Sequence, residues 1–336
     1  MKVLVALMLY DYGEKQRGYS YEYYNVFLPL KDQMGENQVI LFDYYSKFLK
    51  SGLVKMNQYL GEIIQSEKPD VTVFCLYKEQ FEDRYLASFR EHTKTVAYFI
   101  DDEWRQEFVR RYIPHFDHFT TRDYYMYHSY LAEGLDQVIF TPLGFNENIY
   151  VKKDLPIRYD VSFVGGCNTE RRWIIKFLQN KGINVNVFGR GWNSDNNWLS
   201  QEQMVDIFNQ SRINLNLTNS KVYDIRFLIN ALRSPVDIKS IFKNPKNKEG
   251  IKGRHFEICG CGGFQLSFYV RGLNLFYGID KEIVVYENID SIADYIRFYL
   301  KNEGLRMKIA QSGYVRSVKD HTSQKYIMRM IEHVME

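Results

Sequence analysis

Along the chain, short apolar runs alternate with longer stretches in which apolar residues return every three or four positions. That alternation predicts buried parallel strands joined by crossover helices, because a strand covered on both faces reads as a continuous apolar run. In the first half the strands fall at 3–9, 39–42, 71–76, 95–100, 118–121 and 138–141, and the helices between them at 21–34, 49–67 and 80–92. Around 142–156 the pattern lapses into Gly, Pro, Asn and charged residues, which marks a linker. A second series follows, with strands at 159–166, 184–188, 213–217, 264–268 and 283–286 and helices at 170–181, 201–210, 289–301, 304–318 and 322–334. The expectation is an α/β protein of two doubly wound parallel-sheet domains in tandem, 1–150 and 157–318, with a cleft between them. A C-terminal helix, 319–336, is free to cross back to the first domain. Residues 219–250 fit neither period, mixing an apolar patch at 227–232 with Pro235, Pro245 and a Lys/Asn-rich run. Such a segment is either a lid or acceptor-binding loop, or a surface excursion.

Composition narrows the class. The hydrophobic fraction of 45% and aromatic fraction of 16% over 336 residues suit a packed chain rather than a disordered one. A net charge of +3 without a dense Lys/Arg stripe argues against a nucleic-acid partner. Cys75, Cys167, Cys259 and Cys261 are too sparse for a disulfide framework, which favours a reducing compartment and so the cytoplasm. Asp11 cuts the opening apolar run short, so the N-terminus reads as a first strand rather than a signal peptide. No run reaches the about 20 apolar residues that cross a bilayer. Membrane association is therefore expected to be peripheral at most, at the inner face.

The candidate chemistry concentrates in residues 249–263. Glu249 and Glu257 stand eight positions apart, with Gly250, Lys252, Gly253 and Arg254 between them and the glycine-rich run Cys259-Gly260-Cys261-Gly262-Gly263 after. Glycines let backbone amides approach a diphosphate at a helix N-terminus, where the helix dipole favours negative charge, and the cations add neutralisation. The carboxylates can accept hydrogen bonds from sugar and ribose hydroxyls. The same residues also fit a charged turn followed by a buried helix start. His255, Cys259 and Cys261 lack a second ligand pair at metal spacing, so no metal is expected.

Set in the two-domain pattern, this motif resembles the E-x7-E signature of GT-B glycosyltransferases of the family-4 type. Glu249 and Glu257 fall on its acidic positions, Gly250 on the glycine after the first, and Cys261-Gly262 on the small pair after the second. Ser162-Phe163-Val164-Gly165 followed by Glu170-Arg171 is similar to that family's strand, glycine turn and diphosphate-gripping basic residue, and Val187-Phe188-Gly189-Arg190-Gly191 to its next strand and turn. Residues 256–263, 187–192 and His321-Thr322 look most like the spore-coat, CgeB-like branch. The likeness covers about residues 158–330; over the first half it is one of element order only.

The resemblance implies the GT-B fold, two Rossmann-like domains facing a central cleft. It also implies an enzyme that moves a hexosyl or related sugar from a nucleotide-sugar donor, a UDP- or GDP-sugar, to a glycan, lipid-linked or protein acceptor of the cell surface, and the Lys/Asn composition points to a bacterial source. Retention of configuration follows from it, with neither metal nor cofactor. By the same likeness Gly165, Arg171, Gly189, Arg190, Lys252 and Arg254 face the donor's nucleotide and diphosphate. Glu257 holds the ribose, Glu249 contacts the donor sugar at the reacting carbon, and Arg17, Gly18 and Tyr19 line the loop that admits sugar and acceptor.

There are two departures from the family pattern. Gly166 replaces an Arg after the first glycine, which shifts the diphosphate contact to Arg171 or Arg172, and Ile100-Asp101-Asp102 stands where a His is usual. An inverting reaction would need a base from the first domain. Asp101, Asp102 and Glu103 are candidates because residues at the C-terminal end of a parallel strand face the ligand crevice; the same acids equally suit a helix N-terminus. Tyr19, Tyr21, Tyr23 and Tyr24 either stack on sugar rings or form half-buried helix surface. His115 and His118 read as structural. The alternatives to transfer are a GT-B-fold sugar-nucleotide epimerase or hydrolase and a non-catalytic nucleotide-sugar-binding protein.

Overall fold

The computed structural model describes residues 1–192, 198–220, 224–232, 235–243 and 249–336, with backbone only at Val236, Ser240, Phe242 and Lys243. The chain divides into two compact units, 1–146 together with 322–336, and 147–321.

Unit 1 is built on a six-stranded parallel sheet of β1 (Val3–Leu7), β2 (Val39–Asp43), β3 (Val71–Cys75), β4 (Lys94–Tyr98), β5 (His118–Thr121) and β6 (Val138–Phe140), in the order β2-β1-β3-β4-β5-β6. Alternate residues of β1 serve opposite faces. Leu4 and Ala6 pack with Met56, Leu60 and Ile64 of α2 (Tyr44–Glu67), with α3 (Asp83–Arg90) and α4 (Gln106–Tyr112), and with Tyr130 of α5 (Tyr124–Ala132). Val3, Val5 and Leu7 pack with Leu30 of α1 (Leu28–Met34) and with the last helix of the chain, Ser323–Met335. Both faces are covered, as a parallel sheet requires. α4 and α5 were not apparent in the apolar pattern. Asp123 marks the start of α5, its carboxylate accepting the amides of Tyr125 and Met126, each at 2.9 Å.

The helix expected over 21–34 is not uniform. Tyr23–Phe27 is π-helical and α-helix resumes at Leu28. Pro29 supplies the reason, since it has no amide to return to the carbonyl four residues back.

Unit 2 carries a five-stranded parallel sheet of β7 (Tyr159–Val164), β8 (Asn186–Phe188), β9 (Ser211–Asn216), β10 (Gln265–Phe268) and β11 (Val284–Tyr286), in the order β11-β10-β9-β7-β8. Its helices are α6 (Thr169–Asn180), α7 (Gln201–Asn209), α8 (Ile225–Ala231), α9 (Pro235–Lys243), α10 (Gly253–Gly260), α11 (Ile289–Lys301) and α12 (Glu303–Asp320); the Ser323–Met335 helix of unit 1 is α13. Numbered within its unit, each sheet begins 2-1-3-4-5. The strand order therefore reverses between β1 and β3 in unit 1 and between β7 and β9 in unit 2, and ligands bind such sheets at the C-terminal strand ends beside that reversal. Among the described residues no helix is long and apolar enough to cross a membrane.

Candidate functional site

In unit 2 the reversal point is organised by two glycine turns and one arginine. β7 runs into Gly165 and Gly166, and Asn168 caps α6 by accepting the Arg171 amide at 2.8 Å. The turn after β8 lies against it. Gly165 N–H donates to Phe188 O (2.9 Å), Cys167 N–H to Arg190 O (2.8 Å) and Trp192 Nε1 to Gly165 O (2.7 Å). Gly189 has φ +116, and a Cβ there would stand 2.8 Å from Gly165 O, so only glycine fits this approach.

The Arg171 guanidinium turns back from α6 onto the ends of β7 and β9. Nη1 donates to Gly166 O (2.9 Å), Nε to Thr218 O (3.2 Å) and Nη2 to Leu217 O (3.3 Å). Desolvation lowers its pKa to about 10, against the opposing pull of Glu249, so it remains a cation at neutral pH. A guanidinium has five N–H donors, and the donors beyond these three bonds suit a diphosphate oxygen.

Glu249 fixes the other side of this turn. One carboxylate oxygen accepts the Thr218 hydroxyl and the amides of Asn219 (3.1 Å) and Ser220 (3.0 Å); the second is ion-paired with Lys252. Burial raises its pKa, but the Lys252 charge and the hydrogen bonds from Lys252, Thr218 and Ser220 outweigh that and hold it down at about 2. Lys252 precedes α10, and its amide donates to His255 Nδ1 at 3.0 Å. Like every helix start, α10 leaves its first amides outside the i→i−4 ladder, aimed where an anion is favoured.

Glu257, on α10, is buried; it accepts Tyr150 Oη at 2.9 Å and is ion-paired with Arg254, whose guanidinium lies 5.2 Å over the Phe208 ring. Arg190 is exposed, 5.7 Å over the Trp198 ring. Burial pushes the Cys259 thiol up to about 12 and the Cys261 thiol well above its ordinary value, so neither is a thiolate at neutral pH. Among the described residues no group of three or more His, Cys, Asp and Glu could hold a metal ion. A cavity of about 570 Å³ opens at the ends of β9, β10 and β11, lined by Thr218, Asp224, Phe268, Tyr269, Tyr286 and Asn288. Thr218 belongs to both this cavity and the Glu249 network.

In unit 1 the acids after β4 are held by the protein. Arg122 bridges Asp101 (3.3 Å) and Glu103. Asp102 is fully buried and accepts Thr121 Oγ1 at 2.6 Å and Tyr130 Oη at 3.4 Å. Burial and then the Glu103 charge raise its pKa to about 7. A base must touch the hydroxyl it deprotonates, and Asp102 presents no surface for that in this conformation. In the loop after β1, Arg17 is ion-paired with Asp11 (2.9 Å) and Glu14 (3.6 Å) and covers the Tyr12 ring at 4.2 Å. Gly18 takes φ +82, and Tyr19 stacks between Tyr10 (5.4 Å) and Tyr23 (4.3 Å). Tyr23 stacks on Phe27 and meets Tyr24 edge-on, so the tyrosines largely pack on one another. The more open ring is Tyr12, in a left-handed conformation (φ 51) and 53% exposed.

The same fold occurs in solved structures. HepE of Anabaena in complex with UDP matches 100% of this chain and 100% of its own at TM-score 0.66, with 8% identity. Sucrose-phosphate synthase from Thermosynechococcus elongatus matches 98% and 97% at TM-score 0.64, with 10% identity. The fold is GT-B. Residues 170–332 match the family model described as Glycosyl transferase-like. A putative UDP-N-acetylglucosamine 2-epimerase from Listeria monocytogenes also matches, over 98% and 94% at TM-score 0.55 and 10% identity, so the GT-B fold alone does not separate transfer from epimerisation. No curated protein matches the sequence significantly.

Within this GT-B frame the reversal point of unit 2 brings together Gly165, Arg171, Gly189, Glu249 and Lys252, and α10 adds Arg254 and Glu257. The turn Thr218-Asn219-Ser220 and Tyr150 join them without having been anticipated. The buried Asn214 and Asn216 of β9, at 1% and 2% exposure, are polar residues in a central strand and could have pointed to that turn. Glu22 was also missed. Burial raises its pKa to about 7, and its charge acts on Tyr44, Cys75 and Tyr98, which places it at the C-terminal ends of β2, β3 and β4. The acceptor-loop expectation for 219–250 falls partly on 221–223, 233–234 and 244–248, outside the described residues.

Proposed function

We propose that this chain is a glycosyltransferase that takes its sugar from a nucleotide-diphosphate donor, a UDP-sugar by preference, and delivers it to a carbohydrate-bearing acceptor. The observation that carries the reading is the cation arrangement at the β7/β9 reversal. Arg171 and Lys252 stand beside the glycine turns and the start of α10, within the span matching the glycosyl transferase-like model. Preorganised cations and amides stabilise the charge that builds on a departing diphosphate as the glycosidic bond breaks. In this reading no metal takes part. UDP and UDP-glucose are bound by HepE, which favours uridine as the base.

Glu249, firmly ionised, acts by its charge on the positive anomeric centre rather than as a proton donor. Glu257 holds the ribose once the nucleotide displaces part of its present bonding. Retention is favoured because Asp101 and Glu103 are tied to Arg122 and Asp102 is buried, which leaves those acids poorly placed as bases. Membership of the CgeB-like, family-4 type branch, a cytoplasmic bacterial setting and a cell-surface product belong to the same proposal. Epimerisation is the second reading, favoured by the Listeria structure.

One experiment addresses both. Thermal shift with UDP, GDP and their sugars identifies the donor, since a ligand of the folded state raises the melting point. UDP release is then followed with and without candidate acceptors, and the anomeric proton of the product is read by NMR. Acceptor-dependent release with a retained anomer supports the proposal. Acceptor-independent conversion of the donor moves the assignment to the epimerase or hydrolase class.

A further inference from the structure

The donor reading leaves unused a corner in unit 1. α2 is broken at Gly52 (φ 80, ψ 173), so it consists of two arms, 44–51 and 53–67. In an unbroken helix Lys47 and Tyr59 would stand about 18 Å apart along the axis, yet the Lys47 ammonium lies 5.6 Å from the Tyr59 ring centroid, so the arms fold toward each other. The corner is rooted by Tyr45, Phe48 and Leu53, which pack against the core that holds Tyr44, Met56 and Leu60. Beyond that root its apolar side chains are outward. Leu49, Val54 and Tyr59 are 64%, 42% and 40% exposed, and a Cβ on Gly52 would meet nothing within 4 Å. An outward apolar group rimmed by polar residues marks an interaction site.

Charge says what the corner contacts. Lys47, Lys50 and Lys55 rim it; all three are exposed, and among the described residues none is ion-paired. Residues 44–61 contain no Asp or Glu. Asp43 is engaged as the helix cap, accepting the Ser46 amide at 3.3 Å, and Glu62 lies seven positions beyond Lys55, about two turns away. The positive charge is therefore uncompensated where the aliphatic side chains are exposed. A second copy is a poor occupant, because a two-fold contact would set lysines against lysines. A protein partner is disfavoured too, since protein interfaces draw on Arg and aromatic side chains and are depleted in Lys. Lysines beside exposed Leu and Val suit acidic lipid: their apolar stems lie along the boundary of the acyl chains while the ammonium groups reach the phosphates. We propose that the Gly52 corner docks the protein on an anionic bilayer surface, Leu49 and Val54 entering the boundary between headgroups and acyl chains while Lys47, Lys50 and Lys55 bind lipid phosphates. The surface is made by unit 1 alone and shares no residue with the donor-binding set of unit 2.

Flotation of the full chain with vesicles tests the proposal and needs neither donor nor acceptor, so its outcome does not depend on the glycosyltransferase reading. Binding is expected to vesicles of phosphatidylcholine with about one-third phosphatidylglycerol, to be much weaker to phosphatidylcholine alone, and to fall as salt screens the attraction. The triple variant Lys47→Gln, Lys50→Gln, Lys55→Gln alters only exposed side chains, so it should keep the wild-type melting temperature while binding acidic vesicles at least about tenfold more weakly. Leu49→Ser with Val54→Ser should weaken binding at least about tenfold as well, through the apolar surface no longer buried in the bilayer. Undiminished binding by either folded variant, equal binding to neutral vesicles, or no binding by the wild type each overturns the proposal. So does a concentration-dependent dimer in sedimentation that Leu49→Ser with Val54→Ser abolishes, since the corner would then join two copies.

Discussion

Both oxygens of Glu249 are taken by protein partners, and this gives the residue a stability role that its place in the motif did not disclose. Its folded pKa, about 2, lies below the ordinary 4.5. A depressed carboxylate contributes stability that is present above the ordinary value and is lost as pH falls through the folded one, here between about 4.5 and about 2. Glu249→Gln keeps the size but removes the charge facing Lys252. The variant should therefore be less stable than the wild type by about 3 kcal/mol at neutral pH, with the gap shrinking markedly at pH 3. Denaturant unfolding at the two pH values measures it. A gap independent of pH would mean that the ion pair does not hold the 218–220 turn.

At the scale of elements, one side chain closes the β7/β9 reversal. Arg171 reaches three carbonyls on two strand ends because a guanidinium is a flat fork; an ammonium is a point and cannot span them. Arg171→Lys should lower stability by about 1–2 kcal/mol and weaken UDP binding at least about tenfold. Calorimetric titration with UDP separates the two effects: lower stability with wild-type affinity would make Arg171 a brace and remove it from the donor site. Strands were legible in the sequence where a parallel strand covered on both faces leaves an almost unbroken apolar run, as β1 and β3 do, whereas β9 alternates Ile213 and Leu215 with Asn214 and Asn216. Their order was not legible, since no local pattern records which strands are neighbours. The site divides in the same way. Gly165, Arg171, Glu249 and Lys252 lie in or beside turns whose composition is unusual. Thr218 matters only because Glu249 lies opposite it, 31 positions on, and Tyr150 meets Glu257 across 107 positions. α5 went unseen because it is crowded with tyrosines on all sides and gives almost no one-sided pattern.

For the whole molecule, the division into units puts both ends of the chain in the same body. α13 follows α12 in sequence but belongs with β1 and β3, and the join is polar and specific. Ser323 N–H donates to Phe145 O (2.8 Å), Ser323 Oγ to Asn25 Oδ1 (2.9 Å) and Gln324 Nε2 to Asn146 Oδ1 (2.9 Å). Beyond it Ile327, Met330, Ile331 and Val334, none more than 2% exposed, cover the face that carries Val3, Val5, Val71 and Val73. At roughly 1.5–3 kcal/mol for each buried side chain, these four contribute an amount comparable to the about 5–15 kcal/mol that holds a whole domain folded. A chain ending at His321 should therefore lose the first sheet and keep the second. Hydrogen exchange resolves the two: the amides of β1 and β3 are expected to exchange freely in the truncated protein, while those of β7 and β9 stay protected. Protection of β1 at the level of the full chain would show that the first sheet is stable without its last helix, and equal loss in β9 would show that the two units unfold as one.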